Sequence, residues 1–150
     1  MSADAAVCGP APLIVRPIAL AETRRLRRRV LRPAETVEQQ AEHEPSDAFA
    51  VGAFAGGELV AVGLIGREGG PGCWRVRGMA TAPEHRRRGY GTAVLAALLA
   101  HAEAEGATRV WCTARVPARS LYERAGFAAC SEVYEPPGIG PHVRMERRLR

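Results

Sequence analysis

Arg86-Arg87-Arg88-Gly89-Tyr90-Gly91-Thr92 is the stretch on which the fold turns, because it joins an alternating strand to the strongest helical pattern in the chain. On its C-terminal side, residues 92–105 carry Val94, Leu95, Leu98, Leu99 and Ala102 at helical spacing, and Gly106 stands where a helix end is capped. On its N-terminal side, residues 74–81 alternate: Trp74, Val76, Gly78 and Ala80 on one face, Arg75, Arg77, Met79 and Thr81 on the other. Gly89 and Gly91 let the backbone turn tightly between the two. A helix begins with unpaired N–H groups and a partial positive charge, so this turn, rimmed by arginines, suits a phosphate or pyrophosphate. It is not a nucleoside-triphosphate loop, since no Gly-Lys-Ser/Thr follows. Nor is it a dinucleotide fingerprint, since Val94 occupies the third glycine position.

The pattern spreads outward into one α/β domain with a mixed sheet, expected over residues 12–150 behind a flexible segment at residues 1–11. Residues 13–16 read as a strand and 17–31 as an arginine-rich helix stopped by Pro33. Residues 48–55 and 59–66 read as a hairpin over Gly56-Gly57. Residues 109–113 form a strand, 118–125 a short helix ended by Gly126, and 128–134 with 142–148 a last strand pair. The longest apolar run, residues 93–100, is far short of the roughly 20 residues that span a bilayer. No signal peptide is visible at the start, so a cytoplasmic location is expected without a membrane partner.

All 21 basic side chains are arginine, and the net charge is +5. That surplus suits a polyanion or a small phosphorylated ligand equally. The run Arg24-Arg25-Leu26-Arg27-Arg28-Arg29 lacks the aromatic interleaving of single-strand binders. A solvated helix face bordering a substrate entrance is expected there, and no nucleic acid. Cys8, Cys73, Cys112 and Cys130 show no metal-ligand spacing and read as reduced thiols. His43, His85 and His101 read as surface side chains, and no metal site is expected.

Three motifs in order then carry a resemblance. Arg86, Gly89 and Gly91 match Q/R-x-x-G-x-G/A; Gly78-Met79-Ala80-Thr81-Ala82-Pro83-Glu84 precedes them; Ala118-Arg119-Ser120-Leu121-Tyr122-Glu123-Arg124-Ala125-Gly126-Phe127 follows. Together they resemble the GNAT superfamily of acetyl-CoA-dependent N-acetyltransferases. The resemblance implies an α/β (α+β) fold: a mixed, mostly antiparallel sheet of six to seven strands, its fourth and fifth splayed, flanked by about four helices. It implies acetyl transfer from acetyl-CoA to an amine by direct attack in a ternary complex. By the same resemblance, the backbone of Met79, Ala80 and Thr81 holds pantetheine and polarises the thioester, and Arg86, Arg87, Arg88, Gly89, Tyr90, Gly91 and Thr92 hold the pyrophosphate. Tyr122 stands as general acid for the departing thiolate. A non-catalytic acyl-CoA-binding module on the same fold and a basic nucleic-acid-binding protein are the alternatives.

The chain departs from the family where many members carry Asn seven residues before the tyrosine: the position is Arg115, and Thr113 is the nearest neutral polar side chain. The general base is not named by any motif; Glu135 and His142 flank the loop between the last strands. Glu84 fits a structural turn. Arg77, on the face of Met79, suits either an acceptor bearing a carboxylate or phosphate, or a cross-strand glutamate. Dimers are common in that family, which puts a homodimer among the expected states.

Overall fold

β2 (Phe49–Ala55) and β3 (Glu58–Arg67) form a hairpin over Gly56 and Gly57, whose φ values of 59° and 88° are the two positive angles of a type I′ turn. The structure, a computed structural model, describes residues 13–149. The expected flexible segment at residues 1–11, Cys8 included, lies outside them. β1 (Leu13–Ile18) pairs antiparallel with β2, and β4 (Cys73–Thr81) pairs antiparallel with β3. From β4 the chain runs through α3 (Tyr90–Ala104) into β5 (Arg109–Arg115), then through α4 (Arg119–Arg124) into β6 (Ala128–Ala129) and β7 (His142–Arg148). The seven strands form one sheet in the order β1-β2-β3-β4-β5-β7-β6, with β4 and β5 as its parallel pair. The mixed, mostly antiparallel sheet read from the sequence is the sheet found.

Helices cover both faces. The five apolar positions of α3 are all buried, and Val94, Leu95, Leu98 and Ala102 reach 0% exposure against β2, β3 and β4. Each leucine so enclosed contributes on the order of 1.5–3 kcal/mol of transfer free energy. On the other face α1 (Arg24–Val30) sets Leu26 into a smaller cluster with Val62, Ala80 and Ala82. The expected helix at residues 17–31 is shorter than read: Pro17 is still in β1, and a 3-10 turn at Leu20–Thr23 precedes α1. α2 (Val37–Glu42) starts from a capping box in which the Thr36 hydroxyl accepts from the Gln39 N–H and the Gln39 side chain returns the bond.

Two expectations change. The strand read over residues 128–134 stops at Ala129: Ala129 to Tyr134 spans five steps where Met145 to His142 spans three, so the ladder cannot close between them. The Ser131 hydroxyl accepts from the Arg144 N–H instead. The alternation along residues 74–81 also breaks. Leu64 pairs with Arg77 and Val62 with Ala80, leaving Gly78 and Met79 together opposite Gly63. This is a β-bulge, and Gly78 takes its left-handed position at φ 63°. Arg77 therefore lies with Leu64 toward α1, whereas Met79 packs into the cluster under α3. The two do not share a face, because one extra residue reverses the pleat.

Candidate functional site

β4 and β5 are joined only from Cys73–Arg75 to Arg109–Trp111. Beyond Arg75 they part, and the second half of β4 is paired only on its β3 side. The bulge sits in that free half. Backbone groups at Met79, Ala80 and Thr81 consequently border an open slot inside the sheet rather than a neighbouring strand. A cleft of about 610 Å³ fills the slot, running from the start of α3 to the C-terminal end of α1.

At its first end the cleft meets the arginine-glycine turn. Gly89 is the N-cap of α3 at φ 84°, with no side chain to satisfy the helix's first amides. Arg87 at φ 65° is the non-glycine residue with positive φ among the described residues. Two left-handed residues so close together turn successive amides toward one side, a concavity suited to an anion. Arg86, Arg87, Gly89, Tyr90, Gly91 and Thr92 line the cleft; Arg88 is exposed and does not. The Tyr90 ring is turned into the core beside His85, so only its backbone is available to a ligand. Pantetheine and pyrophosphate groups fit this slot and this turn, since both offer backbone N–H donors without a competing strand.

Tyr122 reaches the cleft from α4, 6% exposed, with its ring edge-on to Phe127 at 5.5 Å. Burial, reinforced by the Cys112 thiol, pushes its phenol far above the usual tyrosine range, so the hydroxyl stays protonated. Burial likewise pushes Cys112 up to about 12, and that thiol is inert. Cys73, Cys112 and Cys130 are all free.

The second end is formed by the α1 face of β4, β5 and β7. Arg75 and Arg77 both donate to Glu68, at 3.0 Å each. Arg75 also donates to the Thr113 hydroxyl and stacks over Trp111. Arg115 donates to the Leu31 carbonyl at 2.6 Å, tying β5 to the end of α1. Thr113 and Arg115 alternate with Cys112 and Ala114, which face the core, so neither shares the face of Tyr122's cluster. His142 pairs across the sheet with Arg115 and is 7% exposed. Its Nδ1 lies 2.9 Å from the Gly140 carbonyl. A carbonyl only accepts, so Nδ1 is the donor of this pair, and Nε2 is the ring nitrogen that the pair leaves over. Glu135 is exposed and does not line the cleft.

Of this second end the sequence reading singles out Arg77, with a glutamate partner as one of its two readings, and Thr113, Arg115 and His142, while Arg27 enters it only within the arginine run; Arg75 and Glu68 carry no local signal, because nothing local announces which loop carboxylate a strand arginine will meet. Arg27 in particular is buried, donating to Glu44 at 2.6 Å and to the Thr23 hydroxyl, and is no solvated side chain. His101 also departs from its surface reading, stacking on Phe49 with centroids 3.6 Å apart. Glu58, Glu84 and His85 bring potential metal-ligating atoms within 4.8 Å of one another on the surface, where Glu84 is already paired with Arg29.

A parallel pair prised apart beside an anion-cradling helix start is the framework of an acyltransferase that takes its donor as a thioester of coenzyme A. The model of the Acetyltransferase (GNAT) family matches residues 18–127. An uncharacterized N-acetyltransferase of Bacillus subtilis strain 168, YitI, is 32% identical over 149 residues, covering 92% of this chain and 97% of its own. Escherichia coli ElaA superposes with a TM-score of 0.75 at 18% identity, covering 91% of this chain and all of that one. The ribosomal-protein-S18-alanine N-acetyltransferase of E. coli gives 0.75 at 18% identity, over 92% of this chain and 94% of that one. A B. subtilis acetyltransferase in complex with CoA gives 0.72 at 18% identity, over 93% of this chain and 100% of that one. The chain belongs to the GNAT acetyltransferase family.

Proposed function

We propose that this chain is an N-acetyltransferase that moves an acetyl group from acetyl-CoA to an amine acceptor by direct attack within a ternary complex. The observation that carries the reading is the bulged, unpaired half of β4 leading straight into the arginine-glycine start of α3. Acetyl-CoA supplies an activated acyl carbon on a leaving thiol. The amides from Arg87 to Thr92 hold its pyrophosphate, and the Arg86 and Arg87 side chains lining the cleft neutralise it. Met79, Ala80 and Thr81 present backbone groups to the pantetheine amides, and donors near Met79 stabilise charge on the thioester oxygen.

The acceptor enters from the α1 side and must lose a proton before its nitrogen can attack. His142, which lines the cleft and is held through Nδ1 by the Gly140 carbonyl, takes that proton at Nε2. As the C–N bond forms and the C–S bond breaks, the Tyr122 hydroxyl donates to the departing sulfur. The test is calorimetric titration of acetyl-CoA, with CoA and ATP as comparators, on wild type and on Gly89→Val/Gly91→Val, followed by thiol release with amines. Saturable binding lost in the double variant supports the reading. No acetyl-CoA binding under reducing, low-salt conditions overturns it.

A further inference from the structure

The acceptor end of the cleft carries more positive charge than its own carboxylates balance. Arg75 and Arg77 share the one carboxylate of Glu68. Arg27 shares Glu44 with Arg24, and Arg32 shares Glu35 with His43. Arg115 has no carboxylate partner among the described residues, only the Leu31 carbonyl. Arg27, Arg32, Arg75, Arg77 and Arg115 all line the cleft, and Glu35 is the carboxylate that lines it with them. Within this group the Arg75 Nε–H is buried with no hydrogen-bond partner at all. Burial, and then the neighbouring Arg77, push the Arg75 pKa down, and burial with Arg32 does the same to Arg115. Both guanidiniums are charges that burial penalises first and a neighbouring arginine second, and an added anion offsets both.

An amine reaches this wall as an ammonium ion, and a surplus of arginine repels a simple cation. The same wall attracts a molecule whose amine is accompanied by an acidic group. Arg86 and Arg87, at the start of α3, are not among these five arginines. Resting on the acetyltransferase reading above, we infer that the acceptor is a small amine bearing a carboxylate or phosphate. Arg75, Arg77 and Arg115 bind that group while the nitrogen faces the slot beside His142.

The test compares matched acceptors by thiol release: free amino acids, their carboxamides, the corresponding decarboxylated amines, and aminoalkyl phosphates. The expected result is a kcat/KM for acidic members about 10²-fold above their amides, the scale of one or two charge-assisted hydrogen bonds. Relative rates of the carboxylate and phosphate arms tell which acid is read. In Arg77→Gln and Arg115→Gln the acid-over-amide ratio falls toward 1 through KM, and Arg115→Lys restores part of it. A binding measurement stands beside turnover: with the protein saturated with CoA, N-acetyl amino acids raise the thermal midpoint and their amides do not. Equal turnover or equal stabilisation by acid and amide overturns the inference, as does turnover confined to neutral amines or peptides. If acetyl-CoA itself fails to bind, the acetyltransferase reading falls; if it binds and no acid does, the acceptor assignment alone falls.

Discussion

Replacing Gly78 by alanine tests whether the bulge in β4 is as tightly determined as the packing says. Gly78 has φ 63°, where an L-residue is strained by about 1–2 kcal/mol. An added Cβ also meets Arg27 Nε at 3.0 Å, Arg27 Cδ at 3.1 Å and Leu64 Cδ2 at 3.1 Å. Arg27 cannot swing aside, because its guanidinium is fastened to Glu44 at 2.6 Å and to Thr23 at 3.2 Å. Leu64 is at 0% exposure and has nowhere to go. Overpacking of this kind adds about 1–3 kcal/mol, for a total of about 2–5 kcal/mol. Gly57→Ala is the control: its φ is 88°, but nothing lies within 4 Å of its added Cβ, so only the backbone term applies. Urea unfolding should place Gly78→Ala about 1–3 kcal/mol below Gly57→Ala. The strain is relieved by straightening the bulge, which moves Met79 off its face and narrows the slot, so acetyl-CoA affinity should fall in Gly78→Ala alone. Equal stabilities within about 0.5 kcal/mol, with unchanged affinity, would refute the reasoning.

Leu98→Ala, at a fully enclosed position of α3, should cost about 2–5 kcal/mol in urea unfolding; a loss under about 1 kcal/mol would contradict the helix–sheet packing described. Desolvation raises the Glu44 pKa, but hydrogen bonds from Arg24 and Arg27 outweigh it and hold the carboxylate below its usual range. Its stabilisation is therefore complete above about pH 4.3, the ordinary glutamate value, and is lost as pH falls through the lowered value. The gap in thermal midpoint between wild type and Glu44→Gln should close on acidification from pH 6 to 3, and a widening gap would count against the ion pair. Tyr122→Phe should lower kcat by about 10²–10⁴-fold while acetyl-CoA still binds. With the phenol raised above its ordinary value of about 10, wild-type kcat should show no tyrosine-dependent fall below about pH 10. A descending limb near pH 8–9 that vanishes in the phenylalanine variant would disprove that.

Local pattern alone settled a good deal of this protein. The apolar stripe of α3 reads directly as the core of the molecule, since side chains three and four apart must share a helix face. Gly56-Gly57 announces its hairpin and Gly89 announces the tight turn into α3, because few residues tolerate those backbone angles. Alternation by itself could not show where pairing stops, although the family resemblance implied a fourth strand splayed from the fifth. The alternation of residues 74–81 reads as a regular strand, yet a single extra residue at Gly78, imposed by the register with β3, puts Arg77 and Met79 on opposite faces. The meeting of Arg75, Arg77, Arg115 and His142 at one end of the cleft likewise depends on β7 inserting between β5 and β6 and on Leu31 arriving beside β5. Periodicity reports which side of its own element a residue occupies; only the packing of one element on another decides which distant charges become neighbours.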